Sequence, residues 1–171
     1  VLPANRELSG AEIELISIRE RDQRLKKTLG PVMDRYDYIL IDCPPSLSML
    51  TLNALCFANG VIVPMQCEYF ALEGLTDLVA SIRRVHNEKN PGLRIISILR
   101  VMFDPRITLQ QQVSEQLKKH FGDKVFNTII PRNVRLAEAP SYGKPGVVYD
   151  RSSRGAMAYK AFADEIISRM E

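Results

Sequence analysis

Tyr38-Ile39-Leu40-Ile41 is an apolar run without polar alternation, and Asp42, Cys43, Pro44 and Pro45 follow it directly. A run of this kind suits a strand covered on both faces, as in a parallel sheet, whereas a strand with one wet face alternates. Two successive prolines cannot donate to a ladder, so the strand ends by Cys43. Similar runs follow at Gly60–Gln66, where Pro64 is the stop, at Leu93–Phe103 and at Lys124–Ile130. Helical segments lie between them. Residues 11–29 read as one helix, with Ser9 as its cap and Gly30-Pro31 as its stop, and residues 47–58, apolar nearly all round, as a buried helix. Residues 71–90 form a long helix closed by Asn90-Pro91-Gly92, and 108–121 an amphipathic one capped by Thr108. A short helix beginning near Asn133 ends at Pro140 and Gly143, residues 146–150 are a short strand or loop, and 154–170 form the last helix. Alternation on this scale predicts βαβ units and an α/β fold: a parallel, doubly wound sheet flanked by helices on both faces.

The length of 171 residues fits one domain with a sizeable core, and neither a linker nor a repeat interrupts it. No apolar run reaches the roughly 18 residues needed to cross a bilayer. The first residues lack a charged stretch followed by an apolar one, so no signal peptide is expected. Cys43, Cys56 and Cys67 are odd in number and widely spaced, which fits neither a disulfide framework nor a C-x-x-C metal site. Reduced thiols and a cytoplasmic location are the simplest expectation. His86 and His120 lie far apart without ligand-like neighbours and read as surface residues. The net charge is only +3, yet Arg94 to Arg154 carries eleven Lys/Arg against five Asp/Glu. That imbalance fits a polyanion partner, and it equally fits a solvated face.

Asp42 would stand at the carboxyl end of its strand, where ligands bind in open α/β sheets. A carboxylate there can hold a water of a magnesium ion, which keeps several waters and needs few protein ligands. The alternative is a strand-end acid that caps the turn.

Four stretches, "YDYILIDCPPSLSMLTLNAL", "VPMQCEYFALEGL", "MFDPRITL" and "IIPRNVRLAEAPSYGKP…YDRSSRGAMAY", resemble the ParA/Soj chromosome- and plasmid-partition ATPases, of the deviant-Walker P-loop group that includes MinD. The likeness runs over nearly the whole chain. Members of that family begin with a strand and a glycine-rich loop carrying two lysines. Here the nine glycines never form G-x-x-x-x-G-K-[ST], and the one Gly-Lys pair, Gly143-Lys144, is followed by Pro145, which brings neither an N–H for phosphate nor a hydroxyl for magnesium. By resemblance, residues 1–171 form a single partial domain, the C-terminal two-thirds of such a protein without its P-loop strand.

The resemblance implies ATP and Mg2+ as cofactors, with Asp42 holding magnesium through water, and Pro131 and Asn133 lining the adenine pocket. An asparagine amide offers both a donor and an acceptor to a base; the plainer role for Asn133 is to cap the helix after it. Arg106 and Arg135 match arginines that the family uses on double-stranded DNA without sequence preference, and guanidinium suits phosphate. The plainer role for Arg135 is a surface pair with Glu138. Val101 stands where many relatives have threonine, and core packing is its simplest use. The family implies an ATP-dependent homodimer, a centromere-binding ParB-type partner, cytoplasmic nucleoid association and no membrane. The alternatives are an inactive DNA- or partner-binding module, or a MinD-like membrane-cycling ATPase. Against the last, residues 155–171 carry net negative charge and a stripe of Ala158, Phe162, Ile166 and Met170 that suits core packing.

Overall fold

The computed structural model describes residues 1–5, 7–44 and 46–170, without the side chain of Ser9. Two compact units are present: residues 1–61 with 80–94, and residues 62–79 with 95–171.

In the first unit, α1 (Leu8–Ile16), a 3-10 turn (Arg21–Gln23) and α2 (Arg24–Leu29) replace the single expected helix. The break lies at Glu20, which adopts left-handed backbone at φ 55° that no helix can carry through. Ser9 lies inside α1 rather than at its cap. Gly30-Pro31 does not stop the coil, because Pro31 enters the first turn of a further 3-10 segment, Gly30–Arg35, where its missing N–H costs nothing. α3 (Met49–Phe57) is the buried helix expected. Asn53, buried within it, donates to the carbonyls of Arg21 and Met49 at 2.8 and 2.9 Å and accepts from the Leu25 N–H at 3.1 Å, which ties the 3-10 turn and α2 to α3. The amide of Asn90 donates to the Leu55 and Ala58 carbonyls at 2.9 and 2.8 Å, satisfying acceptors that a helix end leaves over.

The expected strand over Tyr38–Asp42 does not form. Tyr36 is extended, but the segment after it pairs with no strand among the described residues, and Leu40 is 89% exposed. Apolar character gives a segment something to bury, but a strand exists only where a neighbouring edge takes its N–H and C=O groups. Pro45 lies outside the described residues.

The sheet has three strands in the order β1-β2-β3: β1 (Gly60–Gln66), β2 (Arg94–Phe103) and β3 (Val125–Pro131). β2 and β3 run parallel, in register at Ile98 with Val125, Arg100 with Ile129 and Phe103 with Pro131. β1 continues two residues past Pro64, which is tolerated because β1 is an outer strand of this sheet and Pro64 is exposed. Between the strands come α4 (Tyr69–Glu88), which runs across the division between the units, and α5 (Thr108–Phe121). Thr108 is the first residue of α5 and not its cap.

After β3 the second unit continues through α6 (Val134–Glu138), a 3-10 turn (Ala139–Tyr142), α7 (Gly146–Tyr149) and α8 (Arg154–Met170). α7 occupies the segment expected as strand or loop. Its core gathers Leu99, Phe126 and Ile130 under Ala158, Phe162 and Ile166 of α8, with Phe126 and Phe162 edge-to-face at 5.0 Å. Three of the four stripe residues of the last helix are therefore core, as their spacing predicts, and Met170 is 39% exposed. Val101 packs against the same cluster, in line with its apolar reading. The α/β class read from the sequence is the one adopted, with three of its four expected strands.

α8 also covers the outer edge of β3. Glu165 accepts the backbone N–H groups of Asn127 and Thr128, each at 2.8 Å. Arg169 donates to Glu165 at 2.8 Å and to the carbonyls of Val125 and Asp123, with its guanidinium 4.6 Å from the Phe126 ring centroid. Side chains of a helix thus take hydrogen bonds of Val125, Asn127 and Thr128 that a further strand could otherwise take.

Candidate functional site

Four of the five candidate residues fall in the second unit, and Asp42 falls in the first. Asp42 is exposed, holds no salt bridge among the described residues, and sits beside Cys43, whose thiol is pushed up by burial and by the Asp42 charge. Its expected setting at the end of a paired strand is not realised, since that strand is absent.

Pro131 ends β3, and the next N–H, that of Arg132, bonds back to the Phe103 carbonyl at 3.1 Å, so the carboxyl ends of β2 and β3 stay joined. Asn133 then turns extended, at φ −146°, and its Oδ1 accepts the Leu136 N–H at 3.2 Å, capping α6. The capping role is real. It uses the side-chain oxygen alone, and Nδ2 finds no protein acceptor among the described residues.

Both candidate arginines are paired. Arg106 grips Asp104 with Nε at 2.9 Å and Nη2 at 2.6 Å. The hydrogen bonds of its side chain and backbone hold the Asp104 carboxyl down at about 2, and Asp104 in turn raises the guanidinium. Asp104 is anchored from behind, because its N–H donates to Gln110 Oε1 at 2.8 Å and Gln110 donates to Glu68 at 3.2 Å. Arg135 pairs with Glu138 at 3.0 Å, the i,i+3 contact its spacing allows, and with Asp150 at 3.6 Å. Glu138, first, and Asp150 push its guanidinium up. Asp150 is pulled down chiefly by the Ser152 hydroxyl.

Unpaired positive charge lies at other positions of the second unit, and Lys118, Lys119 and Lys124 are part of it among the described residues. Arg132, Lys144, Arg151, Arg154 and Lys160 are exposed and have no carboxylate within salt-bridge distance among the described residues. Arg151 and Lys160 line an open cavity of about 430 Å³ together with Val147, Val148, Tyr159 and Ala163. Reasoning from the sequence singled out Arg106 and Arg135 and passed over these five. The signal available for four of them was the basic excess between Arg94 and Arg154, from which the paired arginines have to be subtracted; Lys160 lies outside that stretch.

Two glycines also escaped notice. A Cβ at Gly155 would lie 2.6 Å from Leu136 Cγ and 3.1 Å from Asn133 Cβ, and one at Gly146 would lie 2.5 Å from Leu136 Cδ2. α7 and the start of α8 therefore close on α6 through two positions without side chains. Glycine at or near a helix start, as in "PGVV" and "SSRGAM", is the sequence sign of such an approach.

A family model described as an AAA domain matches residues 1–95. The chromosome-partitioning ATPase Soj of Treponema pallidum is 54% identical over 98% of this chain and 66% of its own length. The chromosome partitioning protein ParA of Caulobacter vibrioides is 50% identical over 99% of this chain and 64% of its own length. Among solved structures, cobyrinic acid a,c-diamide synthase from Mycobacterium smegmatis, with a bound ATP analogue and magnesium, is 35% identical with a TM-score of 0.79, over 97% of this chain and 61% of that one. The chain thus spans about two-thirds of the length of the relatives it matches.

Proposed function

The chain belongs to the ParA/Soj family of chromosome-partitioning ATPases, and from that premise we propose that it carries the base-reading wall, a magnesium-ordering acid and DNA-facing cations of an ATP-dependent partition protein. Asn133 carries the reading. With Oδ1 consumed by the α6 cap, Nδ2 is a fixed donor, suited to a ring nitrogen of adenine, while a backbone carbonyl near Pro131 suits the adenine amino group. Guanine presents a carbonyl where adenine presents that amino group, so a carbonyl on the wall repels it.

Asp42 is an exposed carboxylate with no cation paired to it among the described residues, which suits outer-sphere contact with hydrated magnesium. Among the described residues no cluster of three or more His, Cys, Asp or Glu is placed to hold a metal, and magnesium held by substrate phosphates and waters needs none. Magnesium, when bound, would neutralise phosphate charge. Asp42 would orient one of its waters.

DNA contact is nonspecific in this reading, because guanidinium and ammonium groups neutralise phosphates and carry no base information. Arg106 and Arg135 must leave, or share, carboxylates to take part, whereas Arg132, Lys144, Arg151, Arg154 and Lys160 need not. ATP-dependent homodimerisation, a ParB-type partner and a cytoplasmic, nucleoid-associated location complete the proposal. A membrane-cycling role finds no support in α8, whose apolar stripe is occupied by the core, and among the described residues no helix is long and apolar enough to cross a membrane. The test is Asn133→Asp in the protein at its full natural length. Aspartate keeps the capping oxygen and loses the donor. A drop of about tenfold in ATP-over-GTP preference, the worth of about one hydrogen bond, supports the reading, and an unchanged preference contradicts it.

A further inference from the structure

The geometry points to Gly155 as a positioning residue for base recognition: its missing side chain lets the first turn of α8 lie against Leu136 and Asn133, and so fixes where the Asn133 amide stands. This rests on the reading that Asn133 contacts the base.

Asn133 is held from two directions. Along the chain, its Oδ1 is bound to the Leu136 N–H at 3.2 Å, so the amide follows the first turn of α6. From across the fold, α8 meets that same turn at Gly155, which is buried. A methyl group at 155 would sit 2.6 Å from both Leu136 Cδ1 and Leu136 Cγ and 3.1 Å from Asn133 Cβ. The first two separations lie well inside carbon–carbon contact, which is optimal near 3.5–4.0 Å, so the Leu136 side chain, the α6 turn or α8 must move.

α8 has little freedom to retreat. Ser153 Oγ accepts the Ala156 N–H at 3.2 Å and donates to the Asp150 carbonyl at 2.9 Å, fixing its start. Phe162 and Ile166 fix its middle in the core, and Glu165 with Arg169 fixes its end on β3. Leu136 is equally confined, because Gly146 lets α7 close on its other methyl at 2.5 Å from a would-be Cβ. The displacement therefore falls on α6, and the Asn133 amide is carried with it. Catalytic and binding groups lose function through shifts of this size when the supporting contacts, rather than the groups themselves, are altered.

The experiment compares wild type, Gly155→Ala, Leu136→Ala and Gly155→Ala/Leu136→Ala in the protein at its full natural length, with Asn133→Asp alongside. ATP and GTP affinities are measured by competition against a fluorescent nucleotide at matched folded fraction. Gly155→Ala is expected to lower the ATP-over-GTP preference about tenfold, and the double variant to match Leu136→Ala alone, since with the leucine gone the added methyl meets no clash. A merely structural glycine would lower both affinities in parallel and leave the ratio unmoved, and that result overturns the proposal. If Gly155→Ala does not fold, Gly155→Ala/Leu136→Val, which keeps part of the clash, takes its place against Leu136→Val alone: a lowered preference supports the proposal and an equal preference overturns it. Asn133→Asp separates the two levels. If it leaves the preference intact, the base-contact reading falls. If it abolishes the preference while Gly155→Ala does not, the base contact stands and the positioning role of Gly155 is wrong.

Discussion

Replacing Glu165 by alanine should destabilise the second unit by about 3 kcal/mol at neutral pH, and the loss should vanish in acid. The carboxylate, with only 16% of its side chain exposed, takes two backbone N–H groups from the edge of β3 and one guanidinium N–H from Arg169. Burial alone would raise its pKa. The hydrogen bonds from Thr128, side chain and backbone, from the Asn127 N–H and from Arg169 outweigh that and hold it at about 2, against an ordinary 4.5. At about 1.4 kcal/mol per pH unit, the difference corresponds to roughly 3 kcal/mol of folding free energy. The folded pKa is depressed, so this contribution is fully present above pH 4.5 and is lost as pH falls towards 2. The assay is urea unfolding of wild type and Glu165→Ala at a series of pH values between 7 and 2.5, read by circular dichroism. The gap between the two proteins should be about 3 kcal/mol at pH 7 and shrink steadily below pH 4.5. A gap independent of pH, or smaller than about 0.5 kcal/mol at pH 7, would show that Glu165 is an ordinary surface acid and that the β3 edge does not depend on it.

Two other outcomes follow from the same structure. The purified 171-residue chain should not turn over ATP, because phosphate cradling by a glycine-rich loop and its lysine is what P-loop chemistry depends on and no such run occurs within these residues; measurable hydrolysis abolished by Asp42→Ala would contradict this. The same chain should self-associate, since Tyr36, Tyr38, Ile39 and Leu40 are exposed in a segment without strand partners; a monodisperse monomer in light scattering that unfolds in one cooperative calorimetric transition would refute it.

What could be read from the sequence was whatever depended on the chain's own pattern. α8 was legible because Ala158, Phe162 and Ile166 recur at helical spacing and have no other use than the core. β2 and β3 were legible as apolar runs of strand length, and α3 as a helix apolar on every side. The failures share a cause, dependence on something the local sequence does not contain. Tyr38–Asp42 has the composition of a buried strand, but pairing is a property of two segments and not of one. The helix read over 11–29 is broken by one backbone angle at Glu20, in a charged stretch with good helix formers on both sides. α7 was misread because Val147 and Val148 favour strands, while the Val148 and Tyr149 N–H groups donate to the Pro145 carbonyl, each at 2.9 Å, and close a helical turn. At the site, the Arg135–Glu138 pair was visible from i,i+3 spacing. The contribution of Asp150 to Arg135 arises from folding and has no local trace, whereas the approach of Gly155 to Leu136 had only the glycine itself as a sign.

The central claim, that this chain carries the DNA-facing surface of a partition ATPase, is tested most directly by salt titration of duplex binding, with and without ATP, in the protein at its full natural length. Wild type is compared with Arg106→Ala/Arg135→Ala. Wild-type binding is expected to require ATP, to show no sequence preference and to weaken linearly in a log–log plot against salt. Each arginine removed should reduce the slope by about one and lower affinity for every duplex alike. Unchanged affinity and slope in the double variant would mean that these arginines serve only Asp104, Glu138 and Asp150, and binding indifferent to ATP in both proteins would contradict the partition-ATPase account itself.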